Sequence, residues 1–171
     1  MKMGTKSLLF GVHQFAWHPI TVWLAWRHLF NTPTFKETIC IIIHDWGYWG
    51  CKSMNEGKGN LHPILGSLIA DHLFGKPYAM LCLLHSRFYS KLLKLEPSKL
   101  CWADKYSITY DPCWLYGIRA YLSGELQEYR EYAAQAGEVP LSSPYSIWYK
   151  WFRNFFKSQG ESQQSHFLKN D

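Results

Sequence analysis

Residues 39–50, which read ICIIIHDWGYWG, constrain the fold of this chain more than any other stretch. A run of apolar, mostly β-branched residues ends abruptly at His44 and Asp45, and a bend rich in glycine and aromatic residues follows. An unpaired carboxylate at the end of a buried segment is costly, because it must find a cation or several hydrogen-bond donors. A metal ion meets that need most simply, so the doublet indicates a metal site.

The length and composition of the chain predict a single globular domain. Its 171 residues are 47% hydrophobic and 18% aromatic, which is enough for a core of its own and excludes a disordered chain. We divide it into a main domain over residues 1–140, with a core at about 13–110, and a C-terminal helix with a polar tail over residues 141–171.

Charge and cysteine usage limit the location and the partners. Charged residues or histidine interrupt every apolar run before the roughly 18 residues that a membrane span needs. The N-terminal residues have only a short apolar run and no small-residue cleavage site after it, so secretion is not expected. The five cysteines are odd in number and have no Cys-x-x-Cys pair, so free buried thiols in a cytoplasmic protein are expected. The net charge of +5 suits an anionic ligand, but the lysines are too scattered for a dedicated nucleic-acid face. A homodimer is left open.

Apolar spacing and capping residues predict an all-α fold. The isoleucine run would also suit a buried strand, but no partner strand of similar quality exists elsewhere, so we prefer a helix. Thr34 and Glu37 have the spacing of a capping box at its start. Residues 1–12 carry no clear signal and are expected to be a loose lead-in. Residues 47–60 are a predicted loop, and the polar residues 158–171 are expected to fray. The predicted helices cover residues 19–30, 34–46, 62–74, 78–88, 98–110, 112–136 and 144–157.

Six candidate metal ligands stand at or near the ends of these predicted helices. Imidazole and carboxylate groups suit divalent first-row metals, and six of them exceed the needs of one tetrahedral zinc ion. Two metal ions bridged by Asp45 fit the number better. His28 and His72 are expected at the surface, and His13 is an alternative to His18 if the first helix begins earlier. The six candidates are His18, His44, Asp45, His62, His85 and Asp104.

The order of these ligands resembles that of the HD-domain superfamily of metal-dependent phosphohydrolases. The local contexts are similar as well: His18-Pro19-Ile20-Thr21-Val22, the doublet His44-Asp45, His62-Pro63-Ile64-Leu65-Gly66, Leu84-His85-Ser86 and Ala103-Asp104-Lys105. The resemblance covers about residues 13–110. It implies a helical bundle with two divalent metals, of unknown identity among Fe, Mn, Zn, Co and Mg, in its core.

The resemblance implies hydrolysis of a nucleotide or another small phosphate ester, with a metal-activated water as the nucleophile. HD-type di-iron oxygenases share the six-ligand pattern, and so do HD-GYP cyclic dinucleotide phosphodiesterases, whose Gly-Tyr-Pro motif is absent here. One departure weakens the substrate inference, because many HD hydrolases carry a phosphate-binding lysine where this chain has Tyr48. The expected substrate-binding residues are Tyr48, Lys52, Arg87 and Lys105, with Lys58 as a further basic candidate. A non-catalytic interaction domain stabilised by metal is a third alternative.

Aromatic residues outside the ligand set have two interpretations. Trp46, Tyr48 and Trp49 could stack on a nucleobase or close the pocket, or they could simply pack at the base of the loop. The aromatic stripe of the C-terminal helix, from Trp148 to Phe156, could contact a membrane or nucleic acid. Packing on the core or on a second subunit is the simpler expectation.

Overall fold

Helices make up the regular structure throughout the part of the chain that the computed structural model describes, residues 1–55 and 57–167. Ten α-helices and three short 3-10 turns follow one another there, with no strand, so the predicted all-α fold class is confirmed. The helices are α1 (Met3–Phe10), α2 (Trp17–Leu29), α3 (Phe35–Ile43), α4 (Pro63–Phe74), α5 (Lys76–Leu83), α6 (Arg87–Leu93), α7 (Lys99–Tyr106), α8 (Cys113–Ser123), α9 (Glu125–Gln135) and α10 (Tyr145–Phe167). The 3-10 turns are Trp46–Tyr48, Gly57–Leu61 and Ser107–Tyr110.

Helix α3 begins with the predicted capping box. The Thr34 hydroxyl accepts a hydrogen bond from the backbone N–H of Glu37 (3.3 Å), and the Glu37 carboxylate accepts one from the backbone N–H of Thr34 (2.7 Å). The isoleucines are helical despite their β-branched side chains because Ile41 and Ile43 are buried in the core, and tertiary packing outweighs the small propensity cost. The helix ends at Ile43, so the His-Asp doublet lies directly beyond it.

Two apolar clusters hold the helices together. The first joins α2, α3, α4, α5 and α7 around buried residues such as Trp26, Leu29 and Leu100. The second joins α8, α9 and α10 around Trp148, which is 1% exposed. The aromatic stripe of α10 therefore packs on the core of the same chain. All five cysteines are free thiols, as predicted.

The first of four corrections to the predicted elements concerns residues 1–12, which contain α1. This helix packs against α8 and against the turn at Tyr48. Gly4 permits the contact, since a Cβ atom there would lie 2.1 Å from the Tyr48 carbonyl oxygen, and its backbone N–H donates to the Cys51 carbonyl (3.0 Å).

Two predicted helices are each broken in two. Residues 78–88 were predicted as one helix, but α5 ends at Leu83 and α6 begins at Arg87, where the Ser86 hydroxyl caps the backbone N–H of Phe88. Residues 112–136 divide at Gly124, whose φ of 93° is incompatible with a continuing helix.

The C-terminal helix is longer than predicted. Helix α10 continues to Phe167 because its later turns pack on the body of the protein: Gly160 lies against the Tyr106 ring, and Gln164 donates to the His28 carbonyl (3.3 Å). The predicted frayed tail is thus wrong for residues 158–167, and its last four residues lie outside the described part of the chain. Among the described helices, none is both long and apolar enough to cross a membrane.

Candidate metal centre

The six predicted ligands converge on one point of the fold. His18 lies in the first turn of α2, and His44 and Asp45 follow α3 directly. His62 precedes α4, His85 lies between α5 and α6, and Asp104 is in α7. The Asp104 side chain is 17% exposed, and the other five residues are buried.

Asp45 divides its two carboxylate oxygens between two sets of imidazoles. Its Oδ2 atom lies 3.1 Å from His44 Nε2 and 3.2 Å from His18 Nε2. Its Oδ1 atom lies 3.4 Å from His85 Nε2 and 3.7 Å from His62 Nε2. Asp104 joins the first set, with Oδ1 3.2 Å from His18 Nε2. Asp45 therefore lies between the two sets of imidazoles, with one carboxylate oxygen facing each set.

Two overlapping groups of side chains could each hold a metal ion. Within each group the candidate ligand atoms all lie within 4.8 Å of one another, and Asp45 belongs to both. The four-ligand group is His18, His44, Asp45 and Asp104, and the three-ligand group is Asp45, His62 and His85. Their imidazole and carboxylate donors suit divalent transition metals.

Hydrogen bonds to the backbone orient three of the imidazoles. The Nδ1 atoms of His44, His62 and His85 each face the carbonyl oxygen three residues earlier in the chain, at 2.7, 2.7 and 2.5 Å. These carbonyls belong to Ile41, Gly59 and Cys82. A carbonyl only accepts, so Nδ1 carries a proton in each imidazole, and Nε2, directed at the centre of the cluster, is the nitrogen that can bind a metal when it is deprotonated. Metal-ligating histidines are commonly oriented in this way.

Several buried atoms in the cluster are left without a hydrogen bond. The Nε2 atoms of His18 and His44 and the Oδ2 atom of Asp45 are buried and have no hydrogen-bond partner. The Nε2 atoms of His62 and His85 lie 2.9 Å apart, an arrangement in which two lone pairs would face each other unless a proton or a cation lies between them. A cation would satisfy both sets of atoms.

Two imidazoles of the cluster, His44 in the four-ligand group and His62 in the three-ligand group, have pKa values shifted in opposite directions. Burial alone would lower the pKa of His44, but the charges of Asp45 and Asp104 outweigh it and raise that pKa to about 10. The same attraction holds the pKa values of both carboxyls well below their ordinary range, although burial opposes it. Burial and the neighbouring His85 lower the pKa of His62 well below its usual value.

Two glycines bring the ligand-bearing segments together. A Cβ atom at Gly66 would lie 2.8 Å from the Ile43 carbonyl oxygen and 3.0 Å from His44 Cα. At Gly47 it would lie 2.0 Å from the His62 carbonyl oxygen. Helix α4 and the bend after Asp45 therefore approach each other as closely as backbone atoms permit.

A buried glutamate that the sequence did not reveal holds His13 beside the cluster. Glu125 is fully buried and accepts hydrogen bonds from the Ser7 hydroxyl (2.9 Å) and the Val12 backbone N–H (3.0 Å). It also pairs with His13 Nδ1 (2.9 Å), and His13 Nε2 lies 4.0 Å from Asp45 Oδ2. His13 thus lies next to the ligands but in neither group. A glutamate directly after Gly124 has no distinctive sequence signal. His28 and His72 are exposed, as predicted.

A cavity of about 410 Å³ opens from the cluster. Five of the six ligands line it, all except His44. Of the predicted substrate-binding residues, Tyr48, Arg87 and Lys105 line the cavity, whereas Lys52 and the further candidate Lys58 do not. The Tyr48 ring is 6% exposed and stacks on the His62 ring at 3.9 Å, so it packs against a ligand.

The far wall of the cavity comes from helices that sequence reasoning had not assigned to the site. Trp46 and Trp49 are exposed and lie outside the lining. The aromatic lining comes instead largely from α9 and α10. It consists of Tyr116, Tyr129, Tyr132, Trp151, Phe152, Phe155 and Phe156, with Phe88 at the start of α6.

Comparison with known proteins adds no family or functional assignment to this geometry. The chain matches no family model, no curated protein and no solved structure.

Proposed function

We propose that the chain is a metal-dependent phosphohydrolase of the HD-domain type, acting on a nucleotide or another small phosphate ester. One observation carries the proposal: Asp45 lies between two groups of buried imidazoles, with one oxygen facing each group, at the base of a cavity. A carboxylate in that position can bridge two metal ions, and a bridged pair is an arrangement suited to displacement at phosphorus.

The six side chains would hold the metal ions, with His18, His44 and Asp104 on one side of Asp45 and His62 and His85 on the other. When bound, the metals would supply a nucleophilic water at neutral pH and would neutralise charge on the phosphate oxygens. The backbone carbonyls that accept from Nδ1 of His44, His62 and His85 would leave Nε2 of each imidazole to bind the metal.

Two basic side chains that line the cavity would bind the phosphate. Lys105 lines the cavity, with Nζ 3.7 Å from Asp104 Oδ2, so its charge lies beside the four-ligand group. Arg87 lines the same cavity near His85 and can offer a bidentate fork to phosphate oxygens. These residues would take the role of the lysine that HD hydrolases carry at the position of Tyr48.

The size of the cavity supports a small substrate. Its volume of about 410 Å³ is within the range of small-molecule sites, which begins at roughly 300 Å³. A nucleotide or a sugar phosphate could enter it whole, whereas a folded nucleic acid or a protein could insert only one protruding group into the cavity. This restriction points to a free metabolite as substrate.

A turnover screen tests the proposal. Purified protein is stripped with a chelator, reloaded separately with Mn²⁺, Fe²⁺, Co²⁺, Zn²⁺ or Mg²⁺, and incubated with a panel of nucleotides and phosphate esters. We expect phosphate or nucleotide product with at least one metal and none in the chelated protein. His44→Ala should abolish this turnover, and His72→Ala, an exposed histidine on α4, should leave it unchanged.

A di-iron oxygenase is the second candidate function. It is favoured by the composition of the cluster, in which four imidazoles accompany two carboxylates, because imidazole-rich ligation suits iron. Metal analysis of protein purified without oxygen, followed by oxygen-uptake measurements, distinguishes the two reactions. Oxygen consumption with an organic substrate, combined with no hydrolysis for any metal, would reject the phosphohydrolase.

A non-catalytic, metal-stabilised domain would give a third pattern. Metal would raise the melting temperature of the wild type, His44→Ala would remove that rise, and neither screen would detect turnover. That result would also reject the phosphohydrolase.

A further inference from the structure

The cavity above the candidate metal centre has an aromatic wall that the ligand chemistry does not use. Four consecutive lining residues of α10 lie on one face of the helix, at positions i, i+1, i+4 and i+5. They are Trp151, Phe152, Phe155 and Phe156, each partly exposed. This helix lies outside the residues that resemble the HD domain, so its role must come from its own contacts.

The four rings differ in how they pack against the apolar clusters. Phe152 stacks on the buried Trp148 (4.8 Å between ring centroids, 18° between planes) and belongs to the second core cluster, together with Trp151 and Phe156. Phe155 joins none of the apolar clusters found among the described residues. Its ring contacts Trp151 (5.3 Å) and Phe156 (5.2 Å) and is otherwise presented to the cavity. Phe155 is therefore stacked on Trp151 (25° between planes) and meets Phe156 at a steep angle (73°), while the rest of the ring remains partly exposed.

Lys105 joins this wall to the metal centre. Its Nζ atom lies 3.7 Å from Asp104 Oδ2 and 5.7 Å from the centroid of the Phe156 ring. The same Lys105 side chain contacts both the four-ligand group and the aromatic wall, so a phosphate bound to Lys105 lies close to both. A group carried by that phosphate can therefore reach Phe155 and Phe156 within the same cavity.

Polar side chains on the same cavity favour a nucleobase over a plain phenyl ring. Asn55 lines the cavity, and its Nδ2 atom donates to Glu128 (2.8 Å), which leaves its carbonyl oxygen to accept. The exposed Glu138 carboxylate also lines the cavity and can accept from an amino group. A base offers ring faces for stacking and edge donors for such acceptors.

We propose that Phe155 and Phe156 form a stacking subsite for the nucleobase of the substrate, with Lys105 holding its phosphate between the ring subsite and the metal centre. The inference rests on the proposed function for the position of the phosphate. It narrows the substrate class from small phosphate esters to nucleotides. Stacking accepts every base, so the subsite selects for the presence of a base more than for its identity.

A fluorescent nucleotide analogue tests the subsite without requiring turnover. The probe is the 5′-phosphonate analogue of 2-aminopurine riboside, which cannot be hydrolysed and whose emission is quenched when the base stacks. The full chain is titrated with the probe, with and without Mn²⁺. We expect saturable quenching, and about tenfold weaker binding in Phe155→Leu, which keeps the apolar volume but loses the aromatic face. Phe156→Leu should weaken binding in the same direction.

Matched controls separate stacking from other effects. Phe35→Leu changes a phenylalanine that is 75% exposed at the start of α3, outside the cavity, and should bind as the wild type does. Ribose 5-phosphate, used as a competitor without a base, should have the same inhibition constant for wild type and Phe155→Leu.

The outcomes distinguish this inference from the proposed function. Quenching that depends on Phe155 but not on Mn²⁺, in a protein without hydrolytic activity, would support the base subsite and reject the phosphohydrolase. Unquenched binding, unchanged affinity in both leucine variants, or no saturable binding would overturn the subsite even if phosphate esters are hydrolysed.

Discussion

The two halves of the candidate metal centre share Asp45 and differ in the charge around it. In the four-ligand group, Asp45 and Asp104 face His18 and His44, so negative charge balances the imidazoles and raises the pKa of His44 to about 10. In the three-ligand group, Asp45 faces two imidazoles whose Nε2 atoms lie 2.9 Å apart. There the pKa of His62 is lowered instead.

This difference in charge and in ligand number leads us to expect different roles in metal binding for the two halves. The four-ligand group supplies enough donors to complete a tetrahedral site, as in structural metal centres. The three-ligand group leaves coordination positions open, as catalytic sites do. We therefore expect the first metal to be held more tightly and the second to be the one whose remaining positions are available to water and substrate.

The largest effect should come from the shared carboxylate. Asp45→Asn removes the bridge, so both metals should be lost and turnover should fall on the order of a thousandfold or more. Elemental analysis and the activity screen measure this, and Asp71→Asn, an exposed aspartate on α4, is the control. Retention of both metals by Asp45→Asn would show that the halves do not depend on Asp45.

Variants confined to one half should separate the two sites. His62→Gln should weaken metal binding at the three-ligand group by about 100-fold, so that one metal per chain is retained. Asp104→Asn should weaken metal binding at the four-ligand group by a similar factor. Calorimetric metal titration resolves the two steps, with His72→Gln as the exposed control. Equal loss of both metals in each variant would mean that the cluster acts as a single site.

Metal uptake should depend on pH through the four-ligand group. Because its pKa is raised to about 10, His44 is protonated in the metal-free protein at neutral pH, and a metal ion must displace that proton. Affinity at this site should therefore rise with pH, by about tenfold per unit for each proton displaced, and level off as pH passes that value. At His62, whose pKa is lowered, no proton needs to be displaced above pH 7. Titration with a pH indicator in weak buffer should detect proton release in the tighter step; release confined to the weaker step would contradict this assignment.

A smaller effect is expected at Glu125, which supports His13 outside both groups. Glu125→Gln replaces a buried acceptor and should lower the free energy of unfolding by about 1–3 kcal/mol without changing the metal content. Burial alone would raise the pKa of Glu125, but the hydrogen bond and charge of His13 lower it below its ordinary 4.5. The stabilisation from this shift is present above pH 4.5 and is lost as pH falls through the folded-state pKa, so the variant should be less acid-sensitive.

Urea denaturation at pH 7 and at pH 3.5 measures both effects. Glu131→Gln is the matched control, because Glu131 is exposed on α9, where it accepts a hydrogen bond from Gln127 (2.7 Å). Loss of one metal in Glu125→Gln would place His13 among the ligands.

Local signals in the sequence account for much of the fold. The capping box at Thr34, the Ser98 cap of α7 and the break at Gly75 follow rules that involve only neighbouring residues. The six ligand candidates could be found because imidazoles and carboxylates recur where apolar runs end. Their grouping around Asp45 depends on tertiary contacts that no local pattern encodes.

The wrong predictions likewise concern features that depend on tertiary contacts. The break between α5 and α6 has neither glycine nor proline, and it places His85 where its Nδ1 reaches the Cys82 carbonyl. The end of α10 is polar in sequence but packs on Tyr106. The burial of Glu125 likewise depends on α1, which was not predicted as a helix.

Anomalous diffraction from crystals grown with Mn²⁺ tests the central claim most directly. The account predicts two manganese peaks, one between His18, His44 and Asp104 and the other between His62 and His85, with one oxygen of Asp45 bound to each. A single peak, or a pair in which Asp45 binds only one ion, would contradict it.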